Sequence, residues 1–182
     1  MSIPPHPGSS LPISTLTPEP NSESPLLWGA LAIAAAAVFA QAFRPERHRV
    51  FVSYDHDKDV RYRDLLRAWD ANPRFGFTFD LTSPVERIDS SDAAVVKRTI
   101  TPKLRAARVL LVLVGAHTWR SRWISWEIER ALENDIDLPI AGIKIDRRYR
   151  SPKALRGVGA SWGYRFTAGT VESVLKASRW RS

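Results

Sequence analysis

The chain has 182 residues, which is enough for one ordinary domain with an appendage and too few for a second catalytic domain. It contains no cysteine, which excludes disulfide bonds, thiolate metal sites and a cysteine nucleophile. The formal net charge is +8, and all 27 Lys and Arg residues lie at or after Arg44, so the later part of the chain would attract anionic lipid, nucleic acid or a phosphorylated small molecule.

Two segments precede this basic part. Residues 1–25 are rich in Pro and Ser and lack apolar periodicity, which predicts a disordered tail. Residues 26–43 carry no charged side chain, and as a helix they would extend about 27 Å, slightly less than the hydrocarbon thickness of a membrane. We expect one transmembrane or membrane-anchoring helix here. The alternatives are a surface-lying helix, a signal-peptide core, or an artefact of an upstream start codon. A cleaved signal normally has Lys or Arg before it, and none is present.

The charges around residues 26–43 predict a topology. Arg44, Arg47 and Arg49 follow the segment directly, whereas no basic residue precedes it. The positive-inside rule then places the N-terminus outside and the later domain in the cytoplasm, close to the headgroups of the membrane lipid. The sequence therefore predicts a single-pass membrane protein with a cytoplasmic C-terminal domain.

Residues 48–182 have the pattern of a single domain in which strands and helices alternate. The predicted strands are 49–53, 75–81, 109–114, 138–145 and a short one at 162–166. The predicted helices are 58–71, one from Ser90 or Ser91 to about residue 100, 121–134, and a last one from about residue 170. The unbroken apolar run VLLVLV at 109–114 is typical of a central strand buried on both faces. This order predicts a doubly wound parallel sheet, whose ligands bind outside the carboxyl ends of the strands.

The segment around Glu127 attracts attention because it combines acidic and aromatic side chains on one predicted helix. Trp123 lies one turn before Glu127, which predicts a partly desolvated carboxylate at the margin of the helix's apolar stripe. The alternative is a surface carboxylate that pairs with Arg120, Arg122 or Arg130. The spacing alone favours this surface interpretation.

Four segments resemble a TIR domain, most closely the TIR protein of the Thoeris anti-phage defence system. They are RVFVSYD at 49–55, FD at 79–80, VLLVLVGAHTW at 109–119 and RWISWEI at 122–128, the last being the most specific. The resemblance extends from residue 49 to about residue 145, and it implies a flavodoxin-like fold for the predicted domain at 48–182. It also implies that Glu127 is the catalytic residue for cleavage of NAD+, which is then a substrate rather than a cofactor.

Five further residues are candidates for contact with the substrate. Ser53 would bind a ribose or phosphate oxygen, and Tyr54 would stack on a base or on nicotinamide. Asp80 is either a ligand contact or a turn former, and Trp119 is either a stacking surface or a packed side chain. Trp123 is expected beside Glu127.

No metal site is expected from Asp55, His56 and Asp57, because adjacent residues of an extended loop point in different directions. Asp55 and Asp57 are instead ordinary helix caps. Ser161 lies in a segment that matches the sequence motif of a nucleophile elbow. It is not expected to be a nucleophile, because no convincing strand precedes it.

The resemblance favours an enzyme that produces an ADP-ribose-derived signal for a separate downstream effector, by hydrolysis or by cyclisation. The alternative is a non-catalytic scaffold that assembles with other TIR domains, or with itself, at the membrane. Nucleic acid is not an expected partner, because the basic region has no recognisable groove-reading motif.

Overall fold

A computed structural model describes residues 47–82 and 91–178. The predicted tail at 1–25 and the predicted membrane helix at 26–43 lie outside these residues. Within the described ranges, no helix combines the length and the hydropathy that a membrane crossing needs.

The described chain alternates strands and helices. The strands are β1 (His48–Ser53), β2 (Phe77–Asp80), β3 (Val109–Val114), β4 (Ile140–Lys144) and β5 (Ser161–Gly163). The α-helices are α1 (Val60–Asp70), α2 (Ala93–Ala106), α3 (Arg122–Ala131) and α4 (Ala168–Ala177). Two short 3₁₀ helices, Thr118–Arg120 and Lys153–Leu155, precede α3 and β5 respectively.

The five strands form one parallel sheet in the order β2-β1-β3-β4-β5. Parallel neighbours need helical crossovers, and these cover both faces. One face packs under α1 and α4, through residues such as Leu66 and Val171, and the other packs under α2 and α3, through residues such as Ile100 and Ile128. All six residues of β3 are buried. The predicted doubly wound parallel sheet, with 109–114 as a central strand, is confirmed.

Two helix ends differ from the prediction by three residues or more. Helix α2 continues to Ala106 rather than ending near residue 100, because Ile100 and Leu104 extend its buried stripe past Pro102 despite the lost hydrogen bond and the steric cost of a proline inside a helix. Helix α3 ends at Ala131, three residues before the predicted end. The Leu138 N–H donates to the Ala131 carbonyl at 2.7 Å, and Asp137 takes a left-handed conformation with φ 44°, so the chain turns directly into β4.

Candidate functional site

Glu127 belongs to α3, and its side chain lies on the side of the helix that faces the protein interior. Buried residues of α3 include Ile124, Ile128 and Ala131, and Glu127 is on the same face, with 0% exposure. The prediction of a position at the margin of the helix was therefore wrong, and so was the surface ion pair. Arg130, one of the proposed partners, instead contacts Asp135 at 2.7 Å.

Ser53 is the side chain that meets Glu127. It is the last residue of β1, and alternation along the strand places it on the same face as Phe51, under α3. Its Oγ donates a hydrogen bond to Oε2 of Glu127 at 2.5 Å, and Ser53 is also fully buried. The structure therefore brings together two of the residues selected from the sequence, at the carboxyl end of a strand.

The electrostatics of Glu127 are those of a carboxyl group removed from water. Its Oε1 atom has no hydrogen-bond partner among the described residues. Burial raises the pKa of Glu127 to about 8, and the hydrogen bond from Ser53 opposes this rise only in part. In this closed arrangement Glu127 is mostly protonated at pH 7. Such a shift in a carboxyl group with one unsatisfied oxygen is typical of functional sites.

Tyr54 faces the other side of the sheet. Its ring belongs to the hydrophobic core under α1, is 2% exposed, and has its hydroxyl 3.1 Å from the Leu81 carbonyl, to which it donates a hydrogen bond. Ser53 and Tyr54 are consecutive in extended chain, so they point in opposite directions. The predicted stacking on a base or nicotinamide has no open ring face here, because core side chains cover the ring.

Asp80 lies at the end of the edge strand β2. Its Oδ1 accepts a hydrogen bond from the Thr82 N–H at 3.1 Å, and the Lys103 ammonium lies 3.9 Å away. The first contact is that of a turn-forming aspartate. Asp80 also lines an open cavity of about 570 Å³, together with Arg49 and Arg67. Glu127 does not line this cavity.

The two predicted tryptophan contacts lie at different places. Trp123 is 9% exposed and packs edge-on against Trp126, with ring centroids 5.6 Å apart. Trp119 is 43% exposed, and the guanidinium of Arg150 lies 5.2 Å from its ring centroid. The cavity that Trp119 lines does not include Glu127, Ser53 or Tyr54. The structure thus does not bring Trp119 to the buried carboxyl group.

A second buried carboxyl group, that of Asp59, was missed by sequence reasoning. Asp59 precedes α1, is 4% exposed and makes no side-chain capping hydrogen bond. Its carboxyl group lies against the Cα of Gly115, where a Cβ would collide with both oxygens. Burial, followed by the charge of Asp55, raises the pKa of Asp59 to about 6, and its Oδ2 has no partner among the described residues. In the sequence it is indistinguishable from an ordinary helix cap.

The turn between β3 and α3 is held by Thr118. Its buried hydroxyl accepts a hydrogen bond from the Gly115 N–H at 2.8 Å and donates one to the Leu113 carbonyl at 3.1 Å. The Ser121 side chain then caps α3 by accepting from the Ile124 N–H. These contacts fix the start of the helix that carries Glu127.

Comparison with known proteins agrees with the resemblance noted from the sequence. The family model described as "Thoeris protein ThsB, TIR-like domain" matches residues 51–150, more than half of the chain. No curated protein matches. Among solved structures, a conserved protein from Enterococcus faecalis V583 is similar, with 13% sequence identity and a TM-score of 0.41, over 72% of this chain and 88% of that one. The chain belongs to the Thoeris ThsB TIR-like family, and the matched residues form a TIR domain of anti-phage defence.

Proposed function

We propose that this TIR domain cleaves NAD+ between nicotinamide and ribose, with Glu127 as the catalytic carboxylate, and so produces an ADP-ribose-derived signal in anti-phage defence. One observation carries the proposal: Glu127 of α3 is fully buried beside the carboxyl end of β1, is oriented by Ser53 through one oxygen, and has no partner for its other oxygen among residues 47–82 and 91–178. Membership of the family supports the setting in defence.

The proposed chemistry needs one carboxylate and no general acid. When the bond between ribose C1′ and the pyridinium nitrogen breaks, the electron pair goes to the ring, and nicotinamide leaves as a neutral molecule. Positive charge then develops on the ribose, and an anionic Glu127 stabilises it, as carboxylates do in glycosidases. Attack by water at C1′ gives ADP-ribose and releases one proton. Attack by an atom of the same nucleotide gives a cyclic product instead.

Substrate binding must change two properties of Glu127 for this reaction. The side chain has 0% exposure, so the helix start or the neighbouring loops must open before a ribose can reach it. The raised pKa of Glu127 must also fall, because only the ionised carboxylate stabilises the positive charge on the ribose. The pyridinium cation of NAD+ lowers the pKa of a nearby carboxyl group by direct attraction. The substrate itself would thereby favour the ionised, active form.

The test is depletion of NAD+ by the purified full-length chain and in cells under phage challenge. Glu127→Gln removes the charge with little change in shape, and we expect it to abolish turnover. Glu129→Gln is the matched control, because Glu129 is an exposed glutamate on the same helix. Circular dichroism of both variants checks the fold. Equal turnover by Glu127→Gln and wild type would refute the proposal.

We further propose that residues 26–43 tether the domain to a membrane, with the N-terminus outside and the TIR domain in the cytoplasm. The support is the uncharged run itself and the arginines that follow it. In this arrangement the domain contacts membrane lipid, associates with other TIR domains or with itself, and releases its product to a separate effector. Deletion of 26–43 should move the protein from the membrane fraction to the soluble fraction of lysed cells.

A non-catalytic scaffold is the second candidate function, and the burial of the Glu127 carboxyl group favours it. Glu127, Ser53 and Tyr54 are all buried, as expected for packed interior residues that never meet a ligand. A scaffold would co-sediment with a TIR partner without loss of NAD+. It would also keep its role in defence after Glu127→Gln, which separates the two candidates in a single cellular assay.

A further inference from the structure

A small cavity lies beside the start of α3, and we call it the α3 cavity. It has a volume of about 170 Å³ and is lined by Trp119, Ser125, Arg150, Ser151 and Lys153. The first two residues come from the 3₁₀ helix before α3 and from α3 itself, and the other three come from the segment between β4 and β5. No acidic residue among those that the structure describes lines the cavity.

The two cations of the α3 cavity lack the acidic partner that five arginines of the described chain have. Arg47, Arg63, Arg105, Arg130 and Arg148 each form an ion pair with an Asp or Glu. Neither Arg150 nor Lys153 has a carboxylate partner within residues 47–82 and 91–178. Their positive charges therefore add at the cavity without local compensation, which creates a potential that attracts an anion.

The remaining lining groups suit an oxygen-rich anion. Ser151 has a hydroxyl that forms no hydrogen bond with other described residues, and Trp119 contributes its ring to the cavity wall. The hydroxyl of Ser125, by contrast, already donates to the Ser121 carbonyl at 2.9 Å. Pockets for drug-sized ligands have about 300–1,000 Å³. The α3 cavity is smaller, so it fits a charged group such as a phosphate and not a whole dinucleotide.

We propose that the α3 cavity is a binding site for a phosphate group, held by Arg150 and Lys153 beside the indole of Trp119. Guanidinium and ammonium groups bind phosphate through charge-assisted hydrogen bonds. The guanidinium of Arg150 is already placed by its contact with the Trp119 ring, which reduces the ordering needed on binding.

This site is separate from the buried carboxyl group. Ser125 and Glu127 are two residues apart on α3, and a separation of about 200° around the helix axis places them on opposite sides. Glu127 faces the sheet, whereas Ser125 faces the segment that carries Arg150. The proposal therefore does not depend on cleavage of NAD+, and a Glu127→Gln variant should keep the phosphate site.

The experiment measures binding of inorganic pyrophosphate and of AMP to the full-length chain by calorimetry and by tryptophan fluorescence. We expect saturable binding that weakens about tenfold in Arg150→Gln and in Lys153→Gln, because each loses one charge-assisted contact. Arg156→Gln is the matched control, since Arg156 is exposed, lies in the same segment and does not line the cavity. Trp119→Phe should remove the fluorescence change.

Two results would overturn the proposal. One is the absence of saturable binding by the wild type at low salt, and the other is an equal loss in Arg156→Gln, which would indicate only a general positive field. A second experiment tests whether the bound phosphate belongs to a lipid headgroup. Stronger co-sedimentation with phosphatidic acid vesicles than with phosphatidylcholine vesicles, by an excess that depends on Arg150 and not on Arg156, supports the site and identifies a headgroup as the ligand.

Discussion

The Oγ atom of Ser53 and the Oε2 atom of Glu127 lie 2.5 Å apart, although 74 positions separate the two residues in the chain. The contact joins the end of β1 to the middle of α3. Through this contact the sheet determines the orientation of the proposed catalytic carboxylate. Substitution of Ser53 on the strand should therefore alter the chemistry of Glu127 on the helix.

Ser53→Ala tests this connection. The hydrogen bond from Ser53 lowers the pKa of Glu127, so its loss should raise that pKa further and reduce the ionised fraction near neutral pH. We expect slower cleavage of NAD+ at pH 7.5, with a pH profile displaced towards higher pH. Ser125→Ala removes a hydroxyl from the same helix that bonds to the Ser121 carbonyl, and it should leave the profile in place. Identical profiles for the two variants would count against a positioning role for Ser53.

The proposed reaction should depend on pH through Glu127. Because burial raises its pKa to about 8, kcat/KM should increase as the pH rises from 6 towards 8. The profile of kcat reports the complex with substrate, in which the pyridinium cation favours the carboxylate, so its midpoint should lie at lower pH. Steady-state kinetics of NAD+ cleavage between pH 5.5 and 9 would show both midpoints. A flat kcat/KM over this range would contradict the assignment.

The stability of the fold should also respond to the protonation of Glu127. The unfolded side chain loses its proton near pH 4.5 and the folded one near pH 8. Between these values the folded chain holds the extra proton, so the free energy of unfolding from this group falls as the pH rises. Glu127→Gln has no such group. Urea denaturation should therefore show that its stability relative to wild type increases from pH 5 to pH 8, while Glu129→Gln shows no such trend.

Gly115 should be intolerant of a side chain. A Cβ at this position would collide with the carboxyl group of Asp59, which is buried and has little room to move. We expect Gly115→Ala to lower the free energy of unfolding by about 1–3 kcal/mol, the usual effect of overpacking a core. Gly169→Ala is the control, because nothing lies within 4 Å of a Cβ there and alanine favours the helix. Adding Asp59→Ala to Gly115→Ala should recover part of the loss in urea denaturation.

The periodicity of the sequence was sufficient to predict the sheet. Strand β3 could be located to the residue because its six consecutive apolar side chains are buried on both faces, and α1 is close to its predicted range. The predicted helix α2 was too short, because its buried stripe continues past Pro102 to Leu104.

The candidate site was less accessible to sequence reasoning, because it depends on which face each side chain occupies. To predict the contact between Ser53 and Glu127, one must know both which residues of β1 face α3 and which side of α3 packs against the sheet. The burial of Tyr54 depends on the same alternation of side chains along β1. The position of Asp59 depends on the absence of a side chain at Gly115, which is far from Asp59 in the sequence. Such relationships arise only when distant elements pack.

The strand pairing between β4 and β5 sets a lower limit on the length of a stable domain. The family match ends at residue 150, but Ala141 and Gly142 of β4 pair with Ser161 and Trp162. The ring of Trp162 also covers the space above Gly142, and Val171 lies in the core beneath α4. A protein shortened at residue 150 would leave β4 as an open edge beside uncovered apolar surface, which favours aggregation. Recombinant versions of this TIR domain should therefore retain the chain through the end of α4.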